Sequence, residues 1–169
     1  MATQIGKYSL LLLICILAQV LIFNYITLFY VAIPIIFIFF LIRLPINVNK
    51  ILLFTLAFFT GLCIDVFSDT PGVNAIACVV VAALRQPIYY AYVEKDDHTD
   101  SLVPSVATLG MATYCKYLFT FVVIYCVLAF TIEYFSFADV KNIVIMSGAS
   151  ALLSFIILLA IDCLIPAKS

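Results

Sequence analysis

Two pairs of carboxylates and one serine are the residues whose type and spacing could do chemistry. Asp65 and Asp69 lie one helical turn apart as a DxxxD pair, the kind of spacing that holds magnesium and a diphosphate. That chemistry also needs a second acidic cluster and basic phosphate ligands, and the same side of the chain offers only Glu133, Asp139 and Lys141. Ser150, in Gly148-Ala149-Ser150, superficially resembles a membrane serine protease. A serine nucleophile needs a base, and the single histidine, His98, falls in a polar loop. Asp65 and Asp162 would make an intramembrane aspartyl dyad if they met, but the topology derived below sends them to opposite faces. The segment Glu94–Asp100 combines four acids, one lysine and His98 without the ligand spacing of a defined metal site. It is expected to be a solvated loop. All six cysteines lie in apolar runs, where packing is their expected role, and neither a disulfide framework nor a zinc site is implied. The residues therefore predict no enzyme, no metal and no cofactor.

The elements that must position these groups are set by composition. Of 169 residues, 67% are hydrophobic and 10% charged, and the mean hydropathy is +1.29. A soluble domain carries about a quarter of charged residues, so this chain cannot cover a water-facing surface. The expected class is an all-α integral membrane protein in a lipid bilayer. With a net charge of −1 and no basic stripe, no nucleic acid partner is expected. Four stretches of spanning length are plain at about 51–67, 73–92, 110–132 and 140–164.

The first part of the chain is longer than one span. Residues 8–42 are all uncharged and are interrupted only by Gln19, Asn24 and Pro34. A single straight helix of that length would be about 52 Å long, against a hydrocarbon core of roughly 30 Å. Two helices at about 8–26 and 29–44, turning near Asn24–Leu28, fit better. The hairpin puts Lys7, Arg43, Lys50, Lys95 and Lys168 on one side and only Lys141 on the other. By the excess of cytoplasmic Lys and Arg, both termini are then expected in the cytoplasm. The result is a single domain over 1–169, six transmembrane helices in one compact bundle with short loops. The run after Lys7 could imitate a leader, but Asn24-Tyr25-Ile26-Thr27 offers no small-residue cleavage pattern. Without tryptophan the interfacial belt is expected to be tyrosine, from Tyr8, Tyr89, Tyr90, Tyr92, Tyr114 and Tyr117 inside and from Tyr25, Tyr30 and Tyr134 outside, with Tyr125 alone in mid-span. Pro45, Pro87 and Pro166 are expected to stop the second, fourth and sixth helices, and Arg43-Leu44-Pro45 resembles Arg85-Gln86-Pro87.

Polar residues inside the apolar runs need a reason to be there. Gly61, Asp65 and Ser68 share one face of the third helix, and Gly61 permits close approach by a neighbouring helix. Thr70-Pro71-Gly72 predicts a tight turn, with Thr70 or Asn74 capping the fourth helix. Asp65 and Ser68 are expected to bond the amides of that turn and lock the hairpin, or else to meet a partner or ligand. Arg85, Lys116 and Asp162 fall at similar depth, so Arg85 or Lys116 is expected either to pair with Asp162 or to snorkel separately. Ser147, Gly148, Ser150, Ala151 and Ser154 form a stripe suited to helix contact, within the bundle or with another protein.

The pattern G-x-x-x-D-x-x-S…P…G-x-N-A, carried by Gly61, Asp65, Ser68, Pro71, Gly72, Asn74 and Ala75, resembles MreD, the rod shape-determining membrane protein family of bacteria. Gln19–Asn24, Leu44-Pro45 and Val103-Pro104-Ser105 are similar as well. One departure is that many members carry a further residue between the proline and the glycine, which are adjacent here as Pro71 and Gly72. The resemblance implies a non-catalytic subunit of the inner membrane, acting in cell-wall elongation and peptidoglycan synthesis. Its implied partners are an MreC-type membrane protein and, through it, a RodA-type glycosyltransferase, a penicillin-binding transpeptidase and actin-like MreB. The family is also considered related to the substrate-binding, vitamin-type subunits of energy-coupling-factor transporters, which supplies the alternative function.

Overall fold

The computed structural model describes residues 2–23, 33–93, 103–134 and 140–164, and these are helical apart from their connections. The helices are α1 (Ala2–Ala18), α2 (Ile38–Arg43), α3 (Lys50–Ser68), α4 (Val73–Tyr92), α5 (Val106–Leu109), α6 (Met111–Glu133) and α7 (Val140–Leu164). A π-helical turn, Gln19–Phe23, continues α1. Among the described residues, four helices are long and apolar enough to cross a membrane: Lys50–Ser68, Val73–Tyr92, Met111–Glu133 and Ile143–Leu164. They coincide with the last four expected spans. Phe54, Phe58, Phe59, Leu62, Val66 and Phe67 line an exposed face of α3, as a lipid-facing helix requires.

In hydrocarbon, apolar side chains gain little by leaving lipid for protein, so close packing and hydrogen bonds hold such helices together. α3 packs along α4, α4 on α6, and α6 on α7, while α1 touches α2 and α3. At the centre of this arrangement lies the segment from Ile35 to Ile46, almost wholly buried, with Phe37, Phe39 and Phe40 among its largest side chains. Phe37 meets Tyr125 of α6 edge-on, with ring centroids 5.7 Å apart.

This central segment differs from expectation. In place of a spanning helix over 29–44, residues 33–36 are non-helical and the helix that follows has six residues, Ile38–Arg43. The expected turn near Asn24–Leu28 lies outside the described residues. Gln19 hydrogen-bonds Pro34 and Ile36, so the chain has doubled back between them and one straight helix is ruled out. Pro45 does follow the end of α2, directly after its C-cap Leu44. Pro87, by contrast, sits inside α4, which continues to Tyr92. A proline deletes only one helical hydrogen bond, and a packed membrane helix absorbs that loss. Pro166 lies outside the described residues. Tyr89, Tyr114 and Tyr117 are completely buried and do not belong to an interfacial belt, whereas Tyr92 and Tyr134 are exposed. The cysteines divide too: Cys15, Cys78 and Cys126 are buried, and Cys63 and Cys163 are exposed.

Candidate functional site

At one end of the bundle α3 turns into α4. Gly61 makes the approach possible, since a Cβ there would lie 2.5 Å from both the Ala75 Cα and the Asn74 carbonyl oxygen. Those are backbone atoms that cannot swing aside. One turn later Asp65, 5% exposed, reaches across the gap. Its Oδ1 accepts from the Asn74 backbone N–H at 2.9 Å, the Asn74 side-chain amide at 3.0 Å and the Thr70 hydroxyl at 2.8 Å. Its Oδ2 accepts from the Ala75 N–H at 2.9 Å. The first N–H groups of a helix have no partner within it, and a carboxylate is favoured there by the helix dipole. Asp65 of α3 therefore caps α4 from a neighbouring helix. The expected cap by Thr70 or Asn74 is corrected: the N-cap position is Gly72, in left-handed conformation at φ 82°, and both side chains instead bond Asp65. Asp69, at φ 55°, closes α3, with its N–H on the Asp65 carbonyl. The Tyr125 hydroxyl donates to the Asn74 side-chain oxygen, tying α6 to the lock. Pro71 is exposed in the turn, and Ser68 is half-buried at the end of α3.

The opposite end holds the other buried charges. Arg43, at the end of α2, pairs with Asp162 of α7 at 2.7 Å, and its guanidinium carbon lies 5.3 Å from the Phe39 ring centroid. The second Asp162 oxygen accepts from the Val106 N–H at 2.8 Å, anchoring α5, which Ser105 and Thr108 close with a capping box. Arg85, completely buried, donates to the carbonyls of Leu44 and Pro45, the latter at 3.0 Å. The expected pairing of Asp162 with Arg85 or Lys116 is thus corrected. Arg85 is drawn to the carbonyl-rich C-terminus of α2, which leaves Asp162 to Arg43. Lys116 is exposed. Tyr114 lies beside Asp162 and Tyr117 beside Arg85. The two similar tripeptides therefore touch, but one ends a helix and the other continues one.

Between the ends lies a third polar arrangement, around the non-helical residues 33–36. The Gln19 amide brackets the backbone, donating to the Pro34 carbonyl at 3.0 Å and accepting from the Ile36 N–H at 2.7 Å. Ser150 accepts from the Ile33 N–H at 3.0 Å, and Ser154 accepts from the Ile35 N–H at 2.8 Å. Backbone that is not helical survives at membrane depth only where protein satisfies it. The small-residue stripe of α7 serves this purpose, and Ser150 acts as an acceptor for backbone. Gly148 faces outward with open space around it.

Of the residues singled out in the sequence, the structure gathers Gly61, Asp65, Asn74 and Thr70 at one end and brings Arg85 and Asp162 into the same neighbourhood at the other without direct pairing. Gln19, Arg43, Tyr125 and the acceptor role of the α7 serines were missed. Gln19 and Pro34 did stand out as interruptions of an uncharged run, which was the available signal. Among the described residues no three His, Cys, Asp or Glu side chains group as a metal site would. Both Asp65 oxygens already accept hydrogen bonds, so its chemistry is that of a structural acceptor. No protein family, curated protein or solved structure matches this chain.

Proposed function

We propose that the chain is a non-catalytic, MreD-type subunit of the bacterial cell-shape and cell-wall elongation machinery. In this reading it crosses the inner membrane six times, with both termini and the Arg43–Asp162 end in the cytoplasm and the Asp65 hairpin outside. It scaffolds peptidoglycan synthesis by contact with an MreC-type protein, and through it with a RodA-type glycosyltransferase, a penicillin-binding transpeptidase and actin-like MreB.

The observation that carries this reading is the use made of the residues behind the resemblance. Gly61, Asp65, Asn74 and Ala75 bind one another and hold two helices in fixed register. A shape-holding motif suits a subunit whose work is contact. A vitamin-type transport subunit would need those same outer-end groups turned toward a ligand cavity, and Asp65 and Asn74 are engaged with each other. Deletion in the native cell, together with affinity purification of the tagged chain and mass spectrometry, tests the assignment. Rounded cells and recovery of an MreC-type protein are expected. Preserved rod shape in a strain with no second copy of the gene, or recovery with a transport ATPase, would overturn it.

A further inference from the structure

Pro87 costs α4 a hydrogen bond, and it does so on the exposed side of the helix. A proline has no N–H, so the Ala83 carbonyl, four residues earlier, loses the donor that a regular helix would give it. Ala83 lies about 15 Å along a helix of about 30 Å, at the middle of the span. The polar side chains next to Pro87 are engaged elsewhere. Arg85 donates to the carbonyls of Leu44 and Pro45, and Gln86 donates to the carbonyl of Ile46. Among the described residues no side chain donates to the Ala83 carbonyl. Water, which would serve such a group at a bilayer surface, is missing from the hydrocarbon core.

The face that carries this carbonyl is shaped for a helix. Ala83, Pro87 and Ala91 follow one another at intervals of one turn and all three are exposed, with Ile76 and Leu84 exposed on the same face. α4 packs against both α3 and α6, so these short side chains make a shallow floor between two neighbouring helices. Short side chains let another backbone approach closely. A lipid tail can cover such a floor but brings no donor, whereas a helix can bring a hydroxyl or an amide. We infer that the Ala83–Pro87–Ala91 face of α4 docks a transmembrane helix of another protein, which donates a Ser, Thr, Asn or Gln side chain to the Ala83 carbonyl. A second copy of this chain, paired through the same face, would bring only apolar side chains. The proposal requires only that the bundle spans a membrane, and it stands or falls separately from the cell-shape assignment.

The test is photo-crosslinking of the full chain in its native membrane, with benzoylphenylalanine placed at Leu84 on this face or at Leu152 on the exposed face of α7. Leu84 is expected to give one protein adduct, mapping by mass spectrometry to a transmembrane segment with a Ser, Thr, Asn or Gln within one turn of the linked residue. Pro87→Ala restores the internal donor and should lower that yield about fivefold, the effect of one interhelical hydrogen bond. The same variant should leave the melting temperature of the purified chain unchanged or raised. Ala91→Leu fills the floor and should also lower the yield. Adducts with lipid alone, with a second copy of this chain or with a segment lacking a donor would overturn the proposal. So would an unchanged yield in Pro87→Ala, a yield that falls together with the melting temperature, or an equal yield of the same adduct from Leu152. An adduct with a protein other than an MreC type would support the docking face and count against the cell-shape reading alone.

Discussion

The two ends of the bundle each bury a carboxylate, and they satisfy it in different ways. Asp65 is held by neutral donors: two backbone N–H groups, an amide and a hydroxyl. Asp162 is held by a guanidinium and one backbone N–H. The first arrangement is short in sequence, spanning Asp65 to Ala75 and closing a single hairpin. The second joins α2, α5 and α7, elements far apart in the chain. Dipoles from one local turn can neutralise a carboxylate where two helices are already adjacent by connectivity. Where distant elements must be brought together, the chain uses opposite charges, whose attraction is stronger in a medium of low dielectric constant. Their desolvation cost is also larger.

The sharpest way to break the comparison is to remove each carboxylate. Asp162→Ala leaves Arg43 without its anion, and losing one partner of a buried pair costs about 4 kcal/mol. Unfolding in detergent followed by circular dichroism should show the largest loss for this variant. Asp65→Ala should follow at about 3 kcal/mol, since two first-turn N–H groups of α4 lose their acceptor. Because the two sites share no partners, the double variant should show the sum. A sum that fails would mean the ends are coupled.

Gly61→Ala sharpens the picture of the hairpin lock. Its methyl group would meet backbone, forcing α3 from α4 at a cost of about 2 kcal/mol. Separation of the helices also breaks the Asp65 bonds, so Gly61→Ala combined with Asp65→Ala should cost little more than the larger single change. Substitution by asparagine separates charge from hydrogen bonding. Asp65→Asn keeps an acceptor for neutral donors and should cost about 1 kcal/mol. Asp162→Asn should cost clearly more, because it strands a cation. A comparably small effect belongs to the middle of the bundle, where Ser154→Ala removes one acceptor from Ile35 and should cost about 1 kcal/mol.

How much of this was legible beforehand follows the range of the interactions. The spans of α3, α4, α6 and α7 were readable because apolar length and turn residues are local signals. The Asp65 hairpin was readable for the same reason, as one short segment contains both the carboxylate and its donors. The bonding of Asp65 to the amides of the turn was expected, while the further caps offered, Thr70 or Asn74, were wrong because residues near a helix start are the ordinary candidates and both here donate to Asp65. The choice of Arg43 for Asp162 was not readable. Only Arg85 and Lys116 stood at the depth of Asp162 in the sequence, and that Arg43 takes the carboxylate depends on where the carbonyls at the end of α2 draw Arg85. The non-helical stretch at 33–36 was hidden by uniform hydrophobicity, since no apolar pattern distinguishes a buried extended segment from a buried helix. Its support comes from Ser150 and Ser154, which lie 117 and 119 residues away in sequence from the N–H groups they serve.

That distance has a consequence for how the protein is made. The hydrogen bond between Ile33 and Ser150 cannot exist when the ribosome has produced only the first part of the chain, because the acceptor lies 117 residues downstream of its donor. At a synthesis rate of about 5–20 residues per second, that acceptor arrives roughly 6–23 seconds after the donor. Gln19 is present from the start and can hold Pro34 and Ile36 through its side-chain amide during that interval. The Ile33 and Ile35 N–H groups must wait in water, in the translocation machinery or against a temporary acceptor until α7 emerges. Of the described helices, α7 is the latest made and the one that completes the stretch leading into α2, and a chain truncated before Ser150 would leave its own centre unfinished.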